Sequence, residues 1–124
     1  MYSKEILKRF KAPKYAGEIK NADGVGEEGN FRCGDVMKVY LKIKNDKIKN
    51  IKFLTYGCPA AISSTDMMCE LVKSMSIDEA YKLNNKKIVE KLGEVPAFKV
   101  HCSILGTRAL RKAIDDYRKK NKNI

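Results

Sequence analysis

The chain has 124 residues, 33% of them charged, and its 26 Lys and Arg against 15 Asp and Glu give a formal charge of +11. That length reads as one domain, residues 1–124, able to bury a core without cross-links. No apolar run approaches the roughly 18 residues of a membrane span and no signal-peptide core opens the chain, so neither a membrane partner nor export is expected. The positive charge favours acidic partners, but the lysines alternate along strands and line helix faces without interleaved aromatics. A solvated lysine-rich surface is therefore expected, and no nucleic-acid partner. In the reducing, cytoplasmic setting this implies, the 4 cysteines stay free as ligands, nucleophiles or core.

Ser3 is placed to cap a first helix, with Glu5 in its first turn and Tyr2, Ile6, Leu7 and Phe10 as its apolar stripe; Pro13 stops it. The segment from Asp23 to Asp35 has glycines at 24, 26, 29 and 34. It reads as a flexible loop delivering Cys33-Gly34-Asp35, a thiol and a carboxylate on either side of a pliable residue. Gly24-Val25-Gly26 lacks the strand-then-helix frame of a dinucleotide fingerprint.

From Val36 to Lys44 the chain alternates, Met37, Val39, Leu41 and Ile43 on one face and Lys38, Tyr40, Lys42 and Lys44 on the other. Asn45-Asp46 is turn chemistry, and Lys47 to Tyr56 is the return strand of a hairpin. Ile48 is out of phase with Ile51, Phe53 and Thr55, which predicts a bulge or a strand start near Asn50. One apolar and one lysine-rich sheet face leave helices to cover only one side.

Phe53 to Ile62 reads as a strand ending at Gly57 and passing at once into a helix whose first position is Pro59. Cys58 then falls beside the helix N-terminus, where the dipole and unpaired N–H groups favour thiolate. The helix runs to about Lys73, with Ala61, Met68, Leu71, Val72 and Met75 as its core stripe. Cys69 lies about 16 Å further along, too far to share a metal site with Cys58, and reads as core. Ser76-Ile77-Asp78-Glu79 is a capping box opening a short helix. Asn84 or Asn85 caps another carrying Ile88, Val89 and Leu92, ended by Gly93. Val95 to Val100 is extended and delivers His101-Cys102-Ser103. The last helix, capped by Ser103, aligns Ile104, Leu105, Ala109, Leu110, Ala113, Ile114 and Tyr117. Lys119 to Ile124 reads as a frayed basic tail.

Cys33, Cys58 and Cys102 thus sit at element edges, with Asp35 and His101 beside two of them. Three thiolates with a carboxylate or an imidazole suit zinc or iron–sulfur chemistry. Neighbours in sequence rarely serve as base and nucleophile to each other, so a thiol enzyme using Cys102 and His101 is disfavoured.

Three blocks carry a resemblance: Cys33-Gly34-Asp35-Val36-Met37-Lys38; Thr55-Tyr56-Gly57-Cys58 followed by Ala61-Ile62-Ser63-Ser64; and Lys99-Val100-His101-Cys102-Ser103-Ile104-Leu105. In this order, over nearly the whole chain, they resemble the IscU/NifU-type iron–sulfur cluster assembly scaffolds. The resemblance implies an α+β fold, a small, about three-stranded antiparallel sheet packed on one face by helices, and a scaffold rather than an enzyme. It implies Cys33, Cys58 and Cys102 as cluster cysteines, Asp35 as a labile ligand, His101 as an alternate one, and Cys102 as persulfide acceptor. The cargo it implies is a transient [2Fe–2S] cluster built from Fe2+, with Zn2+ able to occupy the same ligands; a structural zinc-binding module is the alternative. Its partners are a cysteine desulfurase and apo iron–sulfur acceptor proteins, and its states a monomer or a cluster-bridged dimer.

Three departures matter. Pro59 stands where the family has a small residue. Arg9-Phe10 replaces an early histidine. Val95-Pro96-Ala97-Phe98-Lys99 replaces the Leu-Pro-Pro-Val-Lys that docks an Hsp70-type chaperone, which weighs against chaperone-assisted release. The insertion and basic residue that mark the related SufU type are missing.

Overall fold

A computed structural model of the protein describes residues 4–30, 35–56, 59–92 and 104–122. In chain order these form α1 (Lys4–Lys11), β1 (Gly24–Asn30), β2 (Asp35–Lys44), β3 (Lys47–Tyr56), α2 (Pro59–Val72), α3 (Ile77–Tyr81), α4 (Asn85–Leu92) and α5 (Leu105–Lys122). The three strands make one antiparallel sheet in the order β1-β2-β3. Met37, Val39 and Leu41 of β2 are fully buried and meet α2 and α5 in one core with Ile51, Met68, Leu110 and Ile114. The sheet is thus covered by helices on one face, as the alternation of β2 implies.

Asn45 and Asp46 turn the β2–β3 hairpin with φ of 54° and 59°, the left-handed pair that a two-residue hairpin loop requires. The predicted irregularity is a bulge. Ile43 pairs with Ile48 and Lys42 with Asn50, leaving Lys49 as the extra residue. It resets the phase of the strand, so Ile48 and Ile51 are 1% and 0% exposed although an odd number of steps separates them.

The glycine-rich segment 24–30 is a strand, not the flexible loop its composition suggested. Its glycines answer to packing. A Cβ on Gly26 would stand 2.1 Å from the Ala109 carbonyl oxygen, and one on Gly24 2.3 Å from that of Ala113. α5 therefore lies directly on the backbone of β1, an approach that only glycine permits.

The apolar stripe predicted for α1 is also corrected. Ile6 is fully buried, but its inward neighbour is Arg9, while Leu7 and Phe10 are 41% and 40% exposed. Beyond α1 the chain pairs with the outer edge of β3: Phe53 N–H donates to Tyr15 O and Gly17 N–H to Phe53 O, each at 2.9 Å. It then crosses the outer sheet face to reach β1, where Asp23 N–H donates to Leu41 O.

α2 is the central helix, buried on every side from Ser63 to Cys69. Pro59 is its first residue, as predicted. Ser76 caps α3, its Oγ accepting from Glu79 N–H at 3.2 Å, and Asn84 caps α4 by accepting from Lys87 N–H. α5 continues to Lys122, so Lys119 to Lys122 belong to a helix and not to a frayed tail. The expectations for Tyr2, Ser3, Gly93, 95–100, Ser103 and residues 123–124 lie outside the described residues.

Candidate functional site

The described elements bring several chain ends to one end of the sheet. Asn30, last of β1, pairs with Asp35, first of β2, and Val36 pairs with Tyr56, last of β3. α2 begins at Pro59, three residues beyond Tyr56. α5 runs over β1 with Ala113 near Gly24 and Ala109 near Gly26, so its N-terminus points toward Asn30. The first turn of α5 also meets α2, where a Cβ on Gly106 would come within 2.6 Å of Thr65 Oγ1. Segments 31–34 and 57–58, and the stretch rejoining the fold at Ile104, therefore all attach at this end.

Cys33, Cys58, His101 and Cys102 lie outside the described residues. Asp35 is placed by its backbone, at the rim position that opens β2. Among the described residues no group of His, Cys, Asp and Glu could hold a metal ion. What the described fold supplies is electrostatic setting. Two helices of 14 and 18 residues start at this end. Each helix start carries about half a positive charge and unpaired N–H donors, which favour thiolates and other anions.

Cys69 is elsewhere. It is fully buried, and burial, reinforced by the Asp66 charge, pushes its thiol well above the ordinary value. It is a core residue, as its spacing from Cys58 implied.

Sequence reasoning missed a buried charge cluster. Arg9 donates from Nε to Glu5 Oε1 at 2.7 Å, from Nη1 to Asp66 Oδ2 at 2.7 Å and from Nη2 to Glu70 Oε2 at 2.9 Å. Asp66 Oδ1 accepts from Tyr15 N–H at 2.9 Å, which links α2 to the strip paired with β3. Burial by itself would lower the Arg9 pKa, but the bonds to Glu5, Asp66 and Glu70 outweigh it and hold the guanidinium charged. The available signal was an aspartate in the middle of an apolar helix, which requires a buried partner. Thr65 Oγ1, also buried in α2, has no hydrogen-bond partner among the described residues.

The model of the NifU-like N terminal domain family matches residues 1–124. An iron–sulfur cluster assembly scaffold protein IscU of Archaeoglobus fulgidus is 46% identical over 124 residues, covering 100% of this chain and 81% of the relative. The IscU of Buchnera aphidicola is 43% identical over 127 residues, with 98% of each chain covered. Among solved structures, a protein of Fervidobacterium islandicum described as a SUF-system iron–sulfur cluster assembly scaffold is similar at a TM-score of 0.77. It is 27% identical, with 91% of this chain and 96% of that chain covered. A NifU-like protein from Brucella abortus matches at a TM-score of 0.78 and 18% identity, over 95% and 94% of the two chains, and speaks for the fold alone.

Proposed function

The chain belongs to the NifU-like N-terminal domain family, and on that premise we propose that it is a non-enzymatic scaffold for building iron–sulfur clusters. The observation that carries the reading is the pairing of whole-length relatives named as such scaffolds with a fold whose chain ends meet at one rim.

A cysteine desulfurase supplies sulfur as a persulfide. The Cys102 thiolate attacks the outer sulfur, a new S–S bond forms, and the donor's thiolate leaves. Ferrous iron joins, and reduction of the two sulfane sulfurs to sulfide takes four electrons, two from oxidation of the two ferrous ions to ferric and two from an external thiol or ferredoxin reductant, which gives a diferric [2Fe–2S] cluster. Cys33, Cys58 and Cys102 hold it, with Asp35 or His101 as the remaining ligand. Helix N-termini keep the thiols ionised, and a position at the rim keeps the cargo transferable to apo-proteins. Two non-thiolate candidates for one position suit cargo that must leave, whereas a permanent ferredoxin-type cluster takes four cysteines.

The test is reconstitution with a cysteine desulfurase, cysteine, ferrous iron and a thiol reductant, read by absorbance and Mössbauer spectroscopy. A [2Fe–2S] signature lost in Cys33→Ser, Cys58→Ser and Cys102→Ser is the expected result. A protein that stays colourless but binds zinc through the same cysteines is a structural zinc module and overturns the reading.

A further inference from the structure

Thr65 stands mid-way along α2, 0% exposed, and its hydroxyl has no hydrogen-bond partner among the described residues. Other buried hydroxyls nearby are spent. Ser64 Oγ donates to Ala61 O at 3.2 Å, and Thr107 Oγ1 donates to Ile104 O at 3.0 Å. Ala61 O is also the carbonyl one turn back to which Thr65 would ordinarily return its own proton. A valine has the same shape and avoids the cost of a buried unpaired hydroxyl. The hydroxyl therefore calls for a partner.

What it faces is the start of α5. A Cβ on Gly106 would stand 2.6 Å from Thr65 Oγ1, so the oxygen rests against the Gly106 backbone. Arg108 N–H donates to Ile104 O at 3.1 Å, which makes Ile104 the N-cap. The N–H groups of Gly106 and Thr107 then belong to the first turn, and no carbonyl of α5 reaches them. A serine or threonine at the N-cap would accept from them; an isoleucine cannot. An acceptor without a donor thus lies beside donors outside the helical ladder. The helix is also set to slide. α5 lies on bare backbone at Gly24 and Gly26, and side chains tie it to β1: Asp116 Oδ2 accepts from Val25 N–H at 3.0 Å, and Lys112 Nζ lies 3.2 Å from Glu28. Such ties can follow an axial shift of about 1–2 Å, the ordinary size of helix shifts at an interface.

We propose that Thr65 is a positioning residue of the scaffold. Its hydroxyl caps α5 across the helix interface, accepting from Gly106 or Thr107 N–H, in the register of α5 on α2 that holds the cargo. The link to the cargo rests on the scaffold reading and on chain order. Cys58 directly precedes α2 and Cys102 stands three residues before α5, so a change of register at Thr65 is passed to the chain that carries both cysteines.

The test uses the full chain and zinc alone. Amide exchange by NMR should slow at Gly106 and Thr107 when wild type or Thr65→Ser binds zinc, and should not slow there in Thr65→Val. Thr65→Val should melt no lower than wild type, yet bind zinc about three- to tenfold more weakly against a chromophoric chelator, the fold-change of one lost hydrogen bond. Thr65→Ser keeps the hydroxyl and should bind within about twofold of wild type. A Thr65 that serves packing alone gives the opposite pattern: a valine variant that binds zinc as wild type does. That result overturns the proposal, as does exchange that slows equally in Thr65→Val or not at all in wild type. A wild type that binds no zinc overturns it as well. Cluster reconstitution is read separately: its failure with the zinc pattern intact overturns the scaffold reading alone.

Discussion

Arg9 Nη1 and Asp66 Oδ2 lie 2.7 Å apart, joining α1 to α2 across 57 residues of sequence. Their side chains are 8% and 0% exposed. Asp66→Ala leaves a buried guanidinium short of one carboxylate and Tyr15 N–H without its acceptor, which should cost about 3–5 kcal/mol. Arg9→Met/Asp66→Leu removes both buried charges and should lie closer to wild type than Arg9→Met or Asp66→Leu alone, because no buried charge is left unpaired. Urea unfolding of the four proteins measures the coupling. Strictly additive losses would show that the pair does not act as a unit.

Glu70 gives this cluster an acid dependence. Its hydrogen bond from Arg9 is the main cause that holds its carboxyl below the ordinary value; partial burial opposes this, and Lys14 assists. A folded pKa below the unfolded one means the stabilisation is present above the unfolded value and is lost as pH falls through the folded value. The side chain is 41% exposed, so solvent screening keeps the contribution under about 1 kcal/mol. Glu70→Gln should therefore lose a little stability at neutral pH and show a shallower decline below about pH 5. Wild-type and variant melting profiles that stay parallel from pH 7 to pH 3 would remove Glu70 from the acid response.

The hairpin was legible because its signals are local. β2 alternates, Asn45-Asp46 takes the positive φ that its turn needs, and the phase error at Ile48 announced the bulge at Lys49. β1 was not legible. Its strand identity comes from pairing with β2, and its glycines are dictated by α5, more than 80 residues away in sequence. The stripe on α1 failed for a related reason: periodicity favours Leu7 and Phe10, but three carboxylates on α1 and α2 decide which way the helix faces. At the candidate site, the end of β3 and the start of α2 at Pro59 could be read one by one, whereas Cys33, Cys58 and Cys102 lie outside the described residues. That the end of β1, the start of β2 and the starts of α2 and α5 share a single rim depends on the register of β1 and the course of α5, which no local spacing encodes.

Gly26→Ala tests that course. The added methyl would stand 2.1 Å from the Ala109 oxygen and 2.4 Å from the Ala113 nitrogen, both backbone atoms that cannot swing aside. α5 must lift from β1, at a cost of about 3 kcal/mol. Because α5 starts at the site end, zinc or iron binding should weaken along with the melting temperature. An alanine variant as stable as wild type would mean that α5 does not rest on the β1 backbone.

Cys69 allows a core thiol to be told from the proposed site thiols. Burial raises its pKa, so little thiolate forms at neutral pH. Brief iodoacetamide treatment of the native protein, followed by peptide mass spectrometry, should label Cys33, Cys58 and Cys102 and leave Cys69 until the chain unfolds. Cys69→Ser should lose about 1–3 kcal/mol by burying a hydroxyl and still support reconstitution. Rapid labelling of Cys69 in the folded protein would overturn its assignment to the core.

Asp35 is the proposed ligand whose exchange would release the cargo. Its backbone opens β2 opposite Asn30, at the rim where the chain ends meet. A carboxylate is a harder ligand than a thiolate, so against sulfide-bound iron it should be the weakest of the proposed set. Gly34 precedes it in the sequence, and an exchangeable ligand would use the conformational freedom of a glycine. Asp35→Ala should therefore still assemble a cluster but hand it on more slowly, because the exchangeable position passes to His101 or closes. If Asp35 serves only to order the turn, the variant should instead lose stability and transfer normally. Circular dichroism of transfer to one apo-ferredoxin, at matched cluster loading, distinguishes the two outcomes. Transfer from Asp35→Ala as fast as from wild type would remove Asp35 from the release step and leave the three cysteines with His101.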